Sequence, residues 1–420
     1  MKVLVVGGGG REHAMCRALA TTPGVEILAA PGNPGTAGLG RNLAVDTGDV
    51  EAVVRCARRE GVDLVLPGPE APLVAGMADA LAATGIPCCG PGAAAARLEA
   101  SKAFTREVAA AVGVPSPSYR IVDDAGEVEA AVASFPEPPV VKADGLAGGK
   151  GVSLPQTAAE ASAGARALLD GRLGAAGMRV VLEERLSGSE ASLFYVCRGT
   201  EVIPLPHARD HKRLGDGGTG PNTGGMGAVS PNPDIDSALE GRVRHEMVLP
   251  VLDHLAGKGM PYTGFLFVGL MLTGDGPRLL EFNVRLGDPE AQAILPRLPE
   301  GRFLEMCLWA AGEGERPVPA PDDARPVCAV VLAAAGYPVD RRRGDPITID
   351  DRLAGPDRWF IHAGTRSDEA GLVTAGGRVG AVVAQGATAE VARRHAYEGV
   401  SLVRWDGMIH RTDIGLPTDG

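Results

Sequence analysis

The alternation of short apolar runs with helical stretches over the first hundred residues most constrains the fold. Val3 to Val6 runs into four glycines and a helix after Gly10. Val25 to Ala30, a helix from Asp49 to Glu60, Leu64 to Leu66 and a helical stretch from Leu73 to Thr84 follow. This rhythm predicts βαβ units and therefore a parallel sheet covered by helices. From about residue 102 the pattern changes. Strand-like Val140-Val141 leads into a glycine-rich loop, Val152 to Leu154 into an alanine-rich helix, and Val180 to Leu182 follows. Pro204 to Pro233 is dense in Gly, Pro and Asp without periodicity, which predicts a long functional loop. Strands resume at Gly264 to Met271 and Arg278 to Phe282. Residues 311–326 read as a linker. Val327 to Ala334, Pro346 to Ile349, Trp359 to His362, Arg378 to Ala384 and a helix over Ala389 to Tyr397 then predict a small β-rich domain.

Composition narrows the classes. The 420 residues carry 41 Lys and Arg against 52 Asp and Glu, a net charge of −11, which argues against a general nucleic-acid binder. The 7 Cys form no CxxC pair and no metal-ligand spacing, the pattern of reduced thiols in a cytoplasmic protein. The longest apolar run, Val327 to Ala335, is far short of the ~18 residues of a membrane span. No signal-peptide core is visible at the N-terminus. Only six residues are Lys, at positions 2, 102, 142, 150, 212 and 258, in a background that otherwise uses Arg. A lysine kept there suits a place that needs a compact ammonium, such as a phosphate site.

Four segments carry the chemistry. Gly7 to Gly10, between a strand and a helix, stands where free backbone N–H groups and the helix dipole favour an anion. It is not a dinucleotide fingerprint, because His13 and Glu12 stand where the third glycine is required. Gly32 and Asn33 follow the next strand and line the same sheet edge. Lys142 to Gly151 is not a Walker loop, since Gly151 replaces the magnesium-binding hydroxyl and a strand follows. It reads as a glycine loop with a lysine at each end, able to fold over a triphosphate. In the long loop, His207 and His211 are four apart, but the surrounding prolines and glycines exclude the helix a zinc pair would need. Lys212 and Asn222 there line a polar pocket instead. Finally, Glu281, Asn283 and Arg285 alternate along a strand and share one face, offering two hard oxygens to Mg²⁺ and a guanidinium to a carboxylate or phosphate.

In this order, VGGGGREHA (6–14), APGNPGTA (30–37), GPEAPLVAG (68–76), SKAF (101–104), KADGLAGGKGV (142–152), EERLSGSEAS (183–192), DHKR with GPNTGGMGA (210–228) and EFNVRLGDPEAQ (281–292) resemble the glycinamide ribonucleotide synthetase family of ATP-grasp ligases. The chain departs from the family at Leu286, where phenylalanine is usual. The resemblance implies a multi-domain α/β (α+β) protein. A Rossmann-like parallel sheet would occupy residues 1–101, and an ATP-grasp core residues 102–315, with a mobile lid at about 120–187. A small β-rich domain would occupy 322–420.

By the same carry-over, ATP would be held by Lys102, Lys142 and the loop of Gly148, Gly149 and Lys150. Glu183, Glu184 and Leu186 would meet the adenine through backbone groups, and Glu190 the ribose. Glu281 and Asn283 would bind Mg²⁺ or Mn²⁺. Gly9, Gly10, Arg11, Gly32, Asn33, Lys212, Asn222, Arg285 and Asp288 would hold glycine and 5-phosphoribosylamine, while Lys142, Lys150, Arg285 and Asp210 would act in catalysis. The expected reaction joins the two substrates through a glycyl phosphate in purine biosynthesis, by a cytoplasmic monomer with no nucleic-acid or membrane partner. Three alternatives stand beside it: an ATP-grasp carboxylase of the same fold, a dinucleotide-dependent oxidoreductase motivated by Gly7 to Gly10, and a non-catalytic nucleotide-sensing module.

Overall fold

The structure, a computed structural model, describes every residue except 148–150, 173, 175–177, 320–323, 370 and 417–420. The first hundred residues form the expected parallel sheet, in the order Arg41–Asn42, Glu26–Pro31, Lys2–Gly7, Leu64–Pro67. The central strand reads as an unbroken apolar run because both of its faces are covered. Val3 and Val5 pack with Ala14 and Met15 of the helix Gly10–Ala20, whereas Leu4 and Val6 pack with Val53, Met77 and Leu81 on the other side. The single helix expected over Leu73 to Thr84 is two, Glu70–Val74 and Met77–Ala82. Gly76 separates them with φ +87, a left-handed conformation that a glycine adopts without steric cost.

The next sheet is antiparallel, in the order Tyr119–Val122, Val180–Glu183, Val140–Ala143, Val152–Ser153. Helices Val128–Ala133 and Ala158–Ala167 bury Ala161 and Ala165 against Val141 and Leu182 on it. The glycine loop therefore joins two adjacent antiparallel strands, but Gly148, Gly149 and Lys150 lie outside the described residues.

A larger antiparallel sheet follows, in the order Glu201–Pro204, Ser189–Arg198, Thr263–Thr273, Gly276–Asn283. Its strands alternate in the period-two manner of a sheet covered on both faces. Leu193, Tyr195 and Cys197 meet Leu252 and Val108 from helices Leu249–Gly257 and Lys102–Ala111, while Phe194 and Val196 share a core with Phe303 of helix Arg302–Ala310.

Pro204 to Pro233 is not the irregular loop that its composition suggests. It contains the strands Arg209–Asp210, Arg213–Gly215, Thr219–Asn222 and Gly227–Ser230. They are too short to leave a periodic signature, and the positive-φ glycines Gly217, Gly218, Gly220 and Gly225 make the turns and close approaches between them. Arg209–Asp210 and Gly227–Ser230 join the C-terminal sheet, whose order continues Val327–Ala333, Arg378–Gln385, Arg358–His362. Helix Ala389–Val400 covers this sheet, and a hairpin of Thr365–Asp368 and Gly371–Thr374, not anticipated from the sequence, lies beside it.

The main core runs through all three regions, joining Val5, Phe267 and Val331. Asn33 adds a polar tie. Its side-chain amide donates to the carbonyls of Gly8 at 3.0 Å, Gly9 at 3.3 Å and His362 at 3.1 Å, while its oxygen accepts from the backbone N–H of Gly35 and Thr36. One side chain thus caps a helix and fastens the first domain to the last. Asn33→Ala should lower the unfolding free energy by about 2–4 kcal/mol, read from chemical denaturation, because three partly buried carbonyls and a helix cap lose their partner. An unchanged midpoint would contradict this role.

Candidate active site

A cavity of about 420 Å³ opens where the first sheet, the antiparallel lid and the large central sheet converge. It brings together Arg11, Lys102, Lys142, Glu183, Asp210, Lys212, Glu281, Asn283, Arg285 and Asp288, residues from six separate sequence motifs. Charged side chains of both signs are balanced along its walls, and most are already committed to one another.

At the lid end, Glu183 is buried between two cations. Arg106 grips it with Nε at 2.7 Å and Nη2 at 3.0 Å, and Lys142 Nζ reaches it at 2.6 Å. Burial pushes this carboxyl up, but Lys142 and Arg106 outweigh burial and hold it below the ordinary carboxylate range. Arg106 also donates to the carbonyls of Leu279 and Leu280, so all three of its guanidinium nitrogens are engaged and the strand Val180–Glu183 is pinned to the central sheet. Lys102 is differently placed. It donates to the Gly145 carbonyl at 3.1 Å, has no carboxylate within ion-pair distance among the described residues, and burial depresses its pKa.

Glu281 and Asn283 stand side by side, with Phe282 and Val284 buried on the opposite face as alternation requires. Burial pushes Glu281 up, yet Lys212, Lys142 and a hydrogen bond with Asn283 bring it below its usual value. Glu281 therefore lies within the field of both the lid lysine and the loop lysine. Arg285 is shared by Glu99 at 2.7 Å and Glu70 at 3.2 Å, and reaches the Asn283 oxygen at 3.3 Å.

The opposite end is acidic. Burial raises both Asp210 and Glu290, aided at Asp210 by the charge of Glu290 and at Glu290 by that of Asp288. Asp210 Oδ1 is buried and has no hydrogen-bond partner among the described residues. Lys212, paired with Glu190 at 2.6 Å, is held strongly protonated. The C-terminal domain closes this end. Arg378 Nη2 meets Asp288 at 3.0 Å and its Nη1 donates to the Asp288 and Gly224 carbonyls, while Tyr337 accepts from the Gly224 N–H at 3.1 Å.

Several expected residues serve elsewhere. The Gly9 N–H donates to Glu12 Oε2 at 2.6 Å, so the turn of Gly7 to Gly10 is filled by an internal carboxylate, to which Arg11 is also bound at 2.7 Å. Gly10 packs against Gln292, and Gly32 against Asn42 and Thr36. Glu184 exchanges hydrogen bonds with Ser118, Leu186 does not line the cavity, and Asn222 is exposed on its hairpin. His207 accepts from the Asn232 N–H, His211 is buried, and among the described residues no group of three His, Cys, Asp or Glu is placed to hold a metal. Sequence reasoning missed Glu70, Glu99, Arg106, Glu290 and Arg378. Glu70 and Glu290 stand inside quoted motifs, and Arg106 follows one by two residues. Arg378 carries no local signal.

Glu99 provides a titration test. Burial, aided by Glu70 and opposed by Arg285, lifts its pKa from 4.5 to about 7. The folded chain thus holds this proton more tightly than the unfolded one. The associated stability is full below pH 4.5 and is lost as pH rises through about 7. Wild type should therefore lose unfolding free energy relative to Glu99→Gln between these pH values; a constant difference would contradict the burial of a titrating carboxyl.

Comparison with known proteins agrees with this geometry. Residues 1–99 match the phosphoribosylglycinamide synthetase N domain, 100–291 its ATP-grasp (A) domain and 327–417 its C domain. A phosphoribosylamine–glycine ligase from Allochromatium vinosum is 44% identical over 421 residues, covering 99% of this chain and 98% of that one. The crystal structure of phosphoribosylamine–glycine ligase from Thermotoga maritima superposes with a TM-score of 0.87 at 33% identity, covering 99% of this chain and 100% of that one. A biotin carboxylase from Campylobacter jejuni, at 12% identity and a TM-score of 0.78 over 99% and 94% of the two chains, shares the fold. The chain belongs to the phosphoribosylglycinamide synthetase family.

Proposed function

We propose that the chain is a phosphoribosylamine–glycine ligase: it joins glycine to 5-phosphoribosylamine at the expense of ATP, giving glycinamide ribonucleotide, ADP and phosphate. The observation that carries this reading is the division of one cavity into two chemistries. A lysine-rich end under the lid suits polyphosphate. The end with Asp210, whose buried Oδ1 is an acceptor without a donor, suits the ammonium of an amino acid. Glu281, in the field of both Lys142 and Lys212, stands between them.

In this reading a glycine carboxylate oxygen attacks the γ-phosphorus, the bond to the bridging oxygen breaks, and ADP leaves with the electron pair. The amine nitrogen of phosphoribosylamine then attacks the carbonyl carbon of glycyl phosphate, phosphate departs, and the nitrogen loses a proton. Phosphoryl transfer between anions is governed by positioning and charge neutralisation. Lys102 and Lys142 supply positive charge at the phosphates, joined by Lys150 of the glycine-loop motif. Asp210 and Glu290 orient the glycine ammonium, and Lys212 stands by to neutralise its carboxylate. Arg285, spanning Glu70, Glu99 and Asn283, fixes the wall on which Glu281 and Asn283 sit.

Glu281 and Asn283 fit a divalent cation. They are two hard oxygen donors without a third carboxylate, the set expected where water and phosphate complete the shell. Mg²⁺ or Mn²⁺ bound there would offset phosphate charge. The acceptor side would be formed by Arg11, Asp288 and Arg378 at the junction of the outer domains.

ADP release should require glycine and phosphoribosylamine together; release driven equally by bicarbonate would make the chain a carboxylase. Asp210→Asn should raise the KM for glycine by about tenfold or more, the loss of one charge-assisted hydrogen bond, with little effect on that for ATP. Glu281→Gln should reduce turnover by about a hundredfold or more with an unchanged melting temperature. Substantial turnover in that variant would remove Glu281 from the nucleotide site.

A further inference from the structure

A second cavity, of about 340 Å³, is lined by Ala14, Arg17 and Ala18 of helix Gly10–Ala20 and shares no lining residue with the first. Its walls come from that helix, the segment between Gln292 and Phe303, and the strand Arg358–His362. Its volume is that of a small-molecule site.

Two polar groups there are not satisfied by the protein. The Arg17 guanidinium sits 4.8 Å from the centre of the Trp359 ring. Among the described residues no carboxylate lies within ion-pair distance of it. Burial lowers its pKa and no neighbouring anion raises it. Gln292 is buried, its Nε2 donates to Asp288 at 2.7 Å, and its Oε1 has no hydrogen-bond partner among the described residues. Both line the same cavity, whose remaining surface includes the apolar side chains of Leu295, Phe303 and Ile361. A desolvated cation stacked on an indole, a buried acceptor and flat apolar walls are complementary to one kind of molecule. The exposed carboxylate of Glu300 at the rim disfavours a dianion and so selects a carboxylate over a phosphate monoester.

We propose that this cavity is a second ligand site, taking a planar aromatic monocarboxylate with an N–H donor on its ring, the carboxylate paired with Arg17 and the donor with Gln292 Oε1. The site does not rest on the ligase reading: it shares no lining residue with the first cavity, although the hydrogen bond from Gln292 to Asp288 joins the two.

The test uses the full chain and 2-aminobenzoate, titrated by calorimetry and by energy transfer from tryptophan. One saturable site is expected, with ATP present or absent. Arg17→Met should weaken it at least tenfold while leaving basal ADP release and the melting temperature unchanged. Benzoate, which lacks the donor, should bind several-fold more weakly, and benzamidine, the cation of the same shape, should not bind. Absence of saturable binding to wild type, equal affinity in Arg17→Met, displacement by ATP or equal binding of benzamidine would each overturn the proposal.

Discussion

The buried bridge of Arg106, Glu183 and Lys142 holds the active-site architecture together. Glu183 belongs to the lid sheet, Arg106 to a helix of the central region, and the carbonyls of Leu279 and Leu280 to the strand that carries Glu281. Such a group would be costly to bury alone, and is retained because both Glu183 oxygens and all three Arg106 guanidinium nitrogens are engaged. Its effect is geometric. The edge of the sheet that carries the glycine loop is fixed to the strand that carries Glu281, and Lys142 lines the cavity between them.

The same economy governs the rest of the cavity. Arg285 is divided between Glu70 and Glu99, Arg378 is held by Asp288, and Lys212 by Glu190. A highly charged ligand therefore enters a site whose charges are already ordered, and little reorganisation is required of the protein. The groups left with spare capacity, Lys102 and Asp210, are of opposite sign and stand at opposite ends. This polarity gives the cavity a direction.

Local chemistry made much of this legible in the sequence. The apolar run at Val3 to Val6 announces a doubly covered strand, and the alternation of Glu281, Asn283 and Arg285 survives as a shared face. Lysines 102, 142 and 212 stand out against an arginine background and all reach the cavity. What remained hidden depends on contacts between distant segments. Arg378 sits on a strand whose neighbours give no hint of a ligand, and its role arises only when the C-terminal sheet folds back on Gly224 and Asp288. Asn33 looks like a turn residue for a ligand but its hydrogen-bonding groups are spent on Gly8, Gly9 and His362. Likewise Glu12, inconspicuous inside the VGGGGREHA motif, takes the place an incoming anion would have in the first turn.

Gly227–Ser230, which precedes the C-terminal region by almost a hundred residues, lies between Arg209–Asp210 and Val327–Ala333 as an interior strand of that region's sheet. The boundary that the chain's linker suggests is thus not a boundary between independently folding units. A fragment beginning at Val327 would leave one edge of its first strand without hydrogen-bond partners and open to pairing with other chains. Evolutionary exchange of the C-terminal module between relatives would likewise be restrained, because part of its sheet is encoded inside the neighbouring domain.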